Sequence, residues 1–438
     1  MGSGPRVAGD EFAMKTVIMA GGRGTRIASV NAEVPKPMIE IEGKPILRWQ
    51  IEKLAAAGKN DIILVIGYLG HVIREYFGDG ADLGVHISYV TEESPLGTAG
   101  ALYLLRETLA GDDFLLLCGD IIFDIDFDRF LAYHREKGGL ATILTHPNAH
   151  PYDSGIIETD GTGCVTNWLH KEDPRLWYRN RVNAGIHCFS PKILDRFTEL
   201  RKTDLDREVL KPLIPEGGLF AYDTPEYVKD MGTPDRYYEV GEDIRSGRVA
   251  ARNLAHAQRA VFLVRDGTIN RYVGFLRRID DFELLPGAAE AIRRINASGY
   301  LAIVVTNQPV IARGEVTREE LDRIHEKMET LLGREGAFVD AVYYCPHHPD
   351  RGFAGEVAAL KIDCDCRKPK PGLLLRAAAD YHISLADSYM VGDGENDILA
   401  GKAAGCRTAA IGEIPGADIV GRDLLDCVDR ILAEGARR

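Results

Sequence analysis

Residues 20–27 read AGGRGTRI, and residues 35–38 follow as PKPM. The glycine-rich turn opens directly after an apolar run at 16–20, and it sets two cations, Arg26 and Lys36, beside that turn. Glycines let a backbone turn tightly and bring its N–H groups against a phosphate, and fixed cations then offset the charge. Three commoner phosphate motifs are excluded. Gly22 and Gly24 are spaced for a dinucleotide fingerprint, but Ile27 stands where its third glycine belongs. Gly43-Lys44 is followed by Pro45 rather than the Ser or Thr of a P-loop, and no HRD or DFG segment accompanies the glycines as in a kinase. The plain alternative is an ordinary strand-to-helix loop. The ordered set of glycines, Thr25, Arg26 and PKP favours a nucleoside triphosphate site instead.

The rest of the chain sets the frame. Its 438 residues exceed one hydrophobic core, so two or three domains are expected. With 45% hydrophobic and 27% charged residues it reads as a globular protein. A net charge of −13 with no basic run argues against nucleic acid. No apolar stretch is long enough to span a bilayer. Residues 1–13 read as a tail ahead of a natural start at Met14, without the apolar stretch of a signal peptide, so a cytoplasmic location is expected. Eight cysteines in a chain of this size do not make a disulfide framework.

Apolar runs alternate with helical patterns, which predicts α/β architecture with mostly parallel sheets and flanking helices. Strands are expected at 16–20, 61–66, 86–90, 114–118 and 141–145, and helices near 46–57, 99–109 and 127–136. Segments 155–158 and 165–169 flank a turn at 160–163 and read as an antiparallel pair. A strand at 183–189 and a helix near 235–244 follow. The pattern then restarts at 259–264. The division expected is a first domain at 14–248, a linker at 249–258 and a second domain at 259–438.

GGxGTR followed by PKP resembles the signature of the sugar-1-phosphate nucleotidyltransferases. VPKPM with the later PLGTAGAL is most similar to the guanylyltransferases acting on heptose 1-phosphate and mannose 1-phosphate. The resemblance covers about residues 14–248 and implies a Rossmann-like nucleotidyltransferase fold. It implies that Arg26 steadies the β- and γ-phosphates, that Lys36 meets the phosphates at the reaction centre, and that Ala20, Gly21, Gly22, Gly24, Thr25, Leu96, Gly97 and Thr98 surround the nucleotide. Asp120, in LLCGD at a strand's carboxyl end, and Asp230, in KDMGTPDRY, match the family's Mg²⁺ ligands. Gly155, Lys171 and Asn183 match sugar-phosphate positions, although HKEDP departs from the EKP common in relatives and leaves Glu172 without a role.

The second half resembles the haloacid dehalogenase-like phosphatases, in particular the zinc-containing heptose 1,7-bisphosphate phosphatases. VFLVRDGTIN, VVTNQPVIARG, YYCPHHP with CDCRKPKPG, and YMVGDGENDILA occur in order. Too little chain separates Asp266 from Thr306 for a large inserted cap. Cys345, His347, Cys364 and Cys366 offer three sulfurs and an imidazole, a set suited to a closed structural Zn²⁺ site. The family's DxDGT begins with the nucleophile, and here that position is Val264, which can neither attack phosphorus nor bind metal. Asp266, Thr306, Lys368, Asp393 and Asp397 keep the remaining positions. Pro309-Val310 replaces a common Ser-Gly in the phosphate loop. A folded, catalytically silent phosphatase domain is expected.

The two resemblances are consecutive in chemistry, since a heptose bisphosphatase makes the heptose 1-phosphate that the transferase consumes. The leading expectation is therefore an enzyme joining an NTP, with GTP foremost, to D-glycero-D-manno-heptose 1-phosphate, releasing pyrophosphate. The alternatives are a mannose 1-phosphate guanylyltransferase and a bifunctional enzyme that keeps its phosphatase. Self-association into a homo-oligomer, held by the second domain as an assembly module, is a further expectation.

Overall fold

A computed structural model describes residues 14–22 and 34–435. Two sheets carry the molecule. The first has nine strands. Lys15–Met19 lies at its centre, parallel to Asp61–Ile66 on one side and to Phe114–Cys118 on the other, with His86–Thr91 beyond Asp61–Ile66. Asp61–Ile66 and Phe114–Cys118 are near-continuous apolar runs because helices and loops cover both faces, whereas the edge strand His86–Thr91 is mixed and partly exposed. Past Phe114–Cys118 the sheet turns antiparallel through Val182–Phe189, which also pairs with Ala141–His146 and touches Ile156–Thr159. The expected hairpin is present, with Val165–Leu169 antiparallel to Ile156–Thr159. A short ribbon pairs Ile121–Asp124 with Tyr227–Asp230, setting Asp230 opposite Ile121.

The second sheet has six parallel strands in the order Ala341–Cys345, Leu301–Asn307, Ala260–Leu263, Tyr389–Gly392, Arg407–Ile411 and Ile419–Gly421. Its carboxyl edge carries Val264, Asp266, Asn307 and Asp393, where ligands of α/β sheets bind. Among its flanking helices is Arg318–Arg334, opened by a capping box of Thr317 and Glu320.

One expectation needs correction. The helix near 99–109 is only a 3₁₀ turn at Gly100–Tyr103 followed by further turns. Gly100 lies against the Arg201 carbonyl, where a Cβ would sit 2.3 Å from its oxygen, and the local bonds run i to i+3. The stretch 249–258, expected to link the two domains, is packed against both. Arg252, Leu254 and Gln258 are buried, and Gln258 bonds both ways to the second domain, its N–H donating to His382 O and its carbonyl accepting from Ser384 N–H, each at 2.8 Å.

Candidate active site

The carboxyl ends of the central strands open into a cavity of about 960 Å³. Gly21 and Gly22 reach it from the end of Lys15–Met19, and Lys36 reaches it from the 3₁₀ turn Lys36–Met38. Lys36 is almost fully buried, and its ammonium is bonded to Asp120 Oδ2. Asp120 lies just past Phe114–Cys118, and its carbonyl accepts a 2.8 Å bond from Met231 N–H. That bond and the 121–230 pairing bring Asp120 and Asp230 to one wall of the cavity. Asp230 is gripped by Arg236 at 2.8 and 2.7 Å and by Gly232 N–H at 2.8 Å. Burial pushes its pKa up, but Arg236 and the Gly232 amide outweigh burial and hold it below the usual carboxylate range.

These two carboxylates are hard oxygen donors at one end of a phosphate-sized cleft, and they fit Mg²⁺. Each carries a cation of the protein itself, Lys36 on Asp120 and Arg236 on Asp230, which balances the charge without a metal.

Gly97 and Thr98 also line the cavity. Gly97 takes a φ of +80° and faces Thr203 so closely that a Cβ would meet the Thr203 oxygen at 2.5 Å. Leu96, expected beside them, is turned into the core instead. Asn183 lies on the cavity wall, its Oδ1 accepting from Gly185 N–H and facing His187 Nε2 at 3.2 Å. Burial holds the His187 imidazole down to about 4, so it stays neutral. Gly155 lies against Trp168, where a side chain would stand 2.6 Å from the indole nitrogen. Lys171 does not enter the cavity; it is exposed, and His170 takes the lining position next to it. Gly24, Thr25 and Arg26 fall outside the described residues.

Several lining residues carry no mark in the sequence. Trp168 Nε1, His170 Nε2 and Glu92 Oε1 are buried at this cavity without a hydrogen-bond partner among the described residues. Leaving such groups unpaired costs about 1–3 kcal/mol each, and all three belong to residues that line the cavity. Asp206, on the single π-turn Leu205–Leu210, lies 3.4 Å from Asn183 Nδ2. Burial, and then neighbouring Asp204, push its carboxyl up to about 6. The π-turn belongs to a class that recurs at functional sites, but no spacing in the sequence announces it.

In the second domain the four metal donors converge. The ligand atoms of Cys345, His347, Cys364 and Cys366 all lie within 4.8 Å of one another. Sulfur–sulfur separations run from 3.1 to 3.5 Å. A tetrahedral ion with Zn–S near ~2.3 Å needs edges of about 3.8 Å, so a small outward adjustment seats Zn²⁺. Four protein donors would leave no open position on a bound ion, which is the arrangement of a structural site.

At the phosphatase-type edge a valine, Val264, stands at the position where the resemblance expects the nucleophile. Val264 is 6% exposed and packs with Phe262, Val305 and Met390. Asp266 survives, but its two oxygens are taken by the buried Arg265, by Gln308 and by Asn270, at 2.8–3.1 Å. Lys368 is bonded to Asp397 at 2.7 Å, Thr306 to Gln308 at 2.9 Å, and Asp393 to Thr268 at 3.3 Å. Val310, where relatives offer a permissive loop residue, is buried in an apolar cluster with Ile311, Val316 and Leu321.

Fold and site together define a nucleotide-handling α/β domain joined to a capless hydrolase-type domain. The nucleotidyl transferase family model matches residues 15–247, just over half of the chain, and the chain belongs to that family. A haloacid dehalogenase-like hydrolase model matches residues 219–405, although 219–230 form strands of the first domain. The chain is 35% identical over 225 residues to the mannose-1-phosphate guanylyltransferase catalytic subunit beta of Xenopus tropicalis, covering 50% of this chain and 62% of that protein. It therefore spans less than two thirds of the length of such curated relatives. Among solved structures, HddC from Yersinia pseudotuberculosis complexed with GMP-PN is 26% identical, covers 53% of this chain and 99% of its own, and has a TM-score of 0.46. The D,D-heptose 1.7-bisphosphate phosphatase from B. bronchiseptica complexed with magnesium and phosphate is 32% identical, covers 40% of this chain and 99% of its own, with a TM-score of 0.36. Among the described residues, no helix is long and apolar enough to cross a membrane.

Proposed function

We propose that this protein transfers a nucleotidyl group from an NTP, with GTP preferred, to D-glycero-D-manno-heptose 1-phosphate. An oxygen of the sugar phosphate attacks the α-phosphorus, the bond from that phosphorus to the bridging oxygen breaks, and pyrophosphate leaves. The observation that carries this reading is that Lys36, Asp120 and Asp230 line the same cavity as Gly155, Trp168 and Asn183. Such transfer needs positioning and charge neutralisation rather than a covalent intermediate. Lys36 supplies a compact cation for phosphate oxygens, and Arg236 keeps Asp230 ionised and aimed. Arg26 belongs with them on the resemblance of its motif. Asp120 and Asp230 would hold Mg²⁺, which when bound neutralises triphosphate charge. Gly185 N–H fixes the Asn183 side chain through its Oδ1, and the remaining Asn183 amide N–H and the unpaired Trp168 Nε1 are placed to bind sugar hydroxyls.

Heptose is favoured by the companion domain, whose motif order and zinc-type donor set resemble a heptose bisphosphatase. Mannose 1-phosphate is the second reading, favoured by the similarity to mannose-1-phosphate guanylyltransferases. The test is pyrophosphate release across four nucleotides and a panel of sugar 1-phosphates. Turnover with heptose 1-phosphate well above mannose 1-phosphate is expected, and the reverse order would replace heptose by mannose. No release with any pair would end the transferase reading.

A further inference from the structure

One helix of the second domain, Arg318–Arg334, carries a polar stripe turned away from its own core. Ile324, Met328 and Leu332 pack inward, while Glu329, Thr330 and Gly333 are buried against the first domain. The Glu329 side chain is fully buried, although every direct partner of its carboxylate lies roughly 150 residues earlier in the chain. Its Oε1 accepts from Arg179 Nε, and its Oε2 from Asn180 N–H at 2.8 Å and from the Arg181 guanidinium at 3.3 Å. Thr330 Oγ1 accepts from Tyr178 N–H at 2.9 Å.

The residues so held lead straight into the cavity. Asn180 and Arg181 immediately precede Val182–Phe189, which bears Asn183 and Gly185. The Asn180 amide closes on Asn148 in both directions, at 2.7 and 3.1 Å, and Asn148 bonds His150 N–H and Ser154. That loop ends at Ser154 and Gly155 on the cavity wall. Gly333 supports the same loop, since a Cβ there would stand 2.6 Å from Pro151 Cγ. The turn Pro151–Asp153 in turn bonds Arg236 through Asp153 at 2.9 Å, and Arg236 grips Asp230.

We propose that this helix is a working part of the transferase site, and that Glu329 is a positioning residue for its sugar-phosphate side. Glu329, together with Asp223 on Arg181, offsets the charges of Arg179 and Arg181, and it fixes the backbone from which Asn183 and the 148–155 loop are presented. The nucleotide side, built on Gly21, Gly22, Gly97 and Thr98, makes no contact with Glu329. A domain without its own nucleophile thus acts on the neighbouring reaction through packing.

The inference rests on the transferase reading for its kinetic arm and on the fold alone for its second arm. In full-length Glu329→Gln, KM for the sugar 1-phosphate is expected to rise about five- to fifty-fold, with KM for the nucleotide within about twofold. Amide hydrogen exchange is expected to quicken at 148–155 and 180–185 and to stay unchanged at 114–118. Gly333→Ala, which presses on Pro151 without touching a charge, is expected to shift the same exchange segments and serves if Glu329→Gln does not fold. Equal changes in both KM values, or unaltered exchange in both segments, would overturn the proposal. A wild-type protein that turns over no sugar phosphate while Glu329→Gln still quickens exchange at 148–155 would refute the transferase reading and leave the positioning intact.

Discussion

Replacing Lys36 by methionine separates catalysis from stability. The Lys36 side chain is 10% exposed and its partner Asp120 33% exposed, so the pair is intermediate between a surface bridge and a buried one. Its loss should cost about 1–2 kcal/mol of stability, because Asp120 can recover water. Methionine keeps the apolar stem that packs beside Pro35 and Pro37. Catalysis should suffer more. A cation positioned on charge that develops in a transition state contributes roughly 10²–10³ in rate, about 2.7–4 kcal/mol. The expected result is a folded protein melting within a few degrees of wild type, with kcat/KM for pyrophosphate release down about 10²–10³-fold. A third reading sharpens this. Lys36 competes with any cation for Asp120 Oδ2, so Mn²⁺ binding without nucleotide, followed by calorimetry, should tighten by up to about tenfold, or ~1.4 kcal/mol. The exposed Lys44→Met, whose partner is Glu52 at 2.7 Å, is the control and should change none of the three. A Lys36→Met enzyme with kcat/KM within about tenfold of wild type would refute this assignment of charge.

Three further outcomes are expected. Zinc analysis should find one equivalent per chain, and Cys364→Ser or chelation should lower the melting temperature, because the donors tie Ala341–Cys345 to the 364–366 loop; an unchanged melt with no metal would remove the site. Wild type should release no phosphate from a heptose 1,7-bisphosphate above background, and Val264→Asp alone should not restore release, since Asp266 is fully bonded and Val310 fills the phosphate loop; brisk release by either protein would contradict the silent-domain reading. Asp206 has a folded-state pKa raised to about 6 from 3.8, so the folded state gains from its proton. That stability is complete below the lower value and is lost as pH rises through the upper one. Asp206→Asn should therefore melt like wild type near pH 3.5 and exceed it at pH 7.5 by up to about 3 kcal/mol, followed by thermal melts across pH. A gain that shrinks as pH rises would show that the carboxyl is not held up by burial.

What could be read from the sequence was chemistry tied to strand ends. Lys36, Asp120 and Asp230 stood in motifs whose residue types have one shared use, and the structure brings all three to one wall. The cysteine cluster was legible for the same reason, and Val264 because a valine replaces a required carboxylate. Trp168, Glu92 and Asp206 were not legible. A tryptophan inside VTNWL reads as core, and it is core except for one indole nitrogen left open by Gly155. Asp206 sits in LDREVL, which reads as an ordinary amphipathic turn until the π-turn swings it to the cavity. Lys171 lies exposed beside the lining residue His170, and HKEDP already departs from the pattern that gives the lysine its role. The helix expected at 99–109 failed because the Arg201 carbonyl occupies the space beside Gly100.

The least legible feature is the seam between the domains. REELDRIHEKMETLLGR looks like any charged amphipathic helix, and Glu329 within it looks like a solvated acid. The same holds for Arg252, which the sequence assigns to a linker and which is buried on Asp340 at 2.7 Å and on the Tyr300 carbonyl at 3.2 Å. Glu329 is satisfied across the seam and Arg252 bridges it, between the Pro225 carbonyl and Asp340, so packing around the first domain's site also constrains the second domain's surface. It does not constrain the second domain's chemistry. An aspartate at 264 would be nearly buried among Phe262, Val305 and Met390 and close in sequence to Asp266, a costly placement without metal or substrate. Valine relieves that cost and fills the same space. On the proposal that the second domain serves by contact, a valine at 264 steadies the scaffold the first domain leans on.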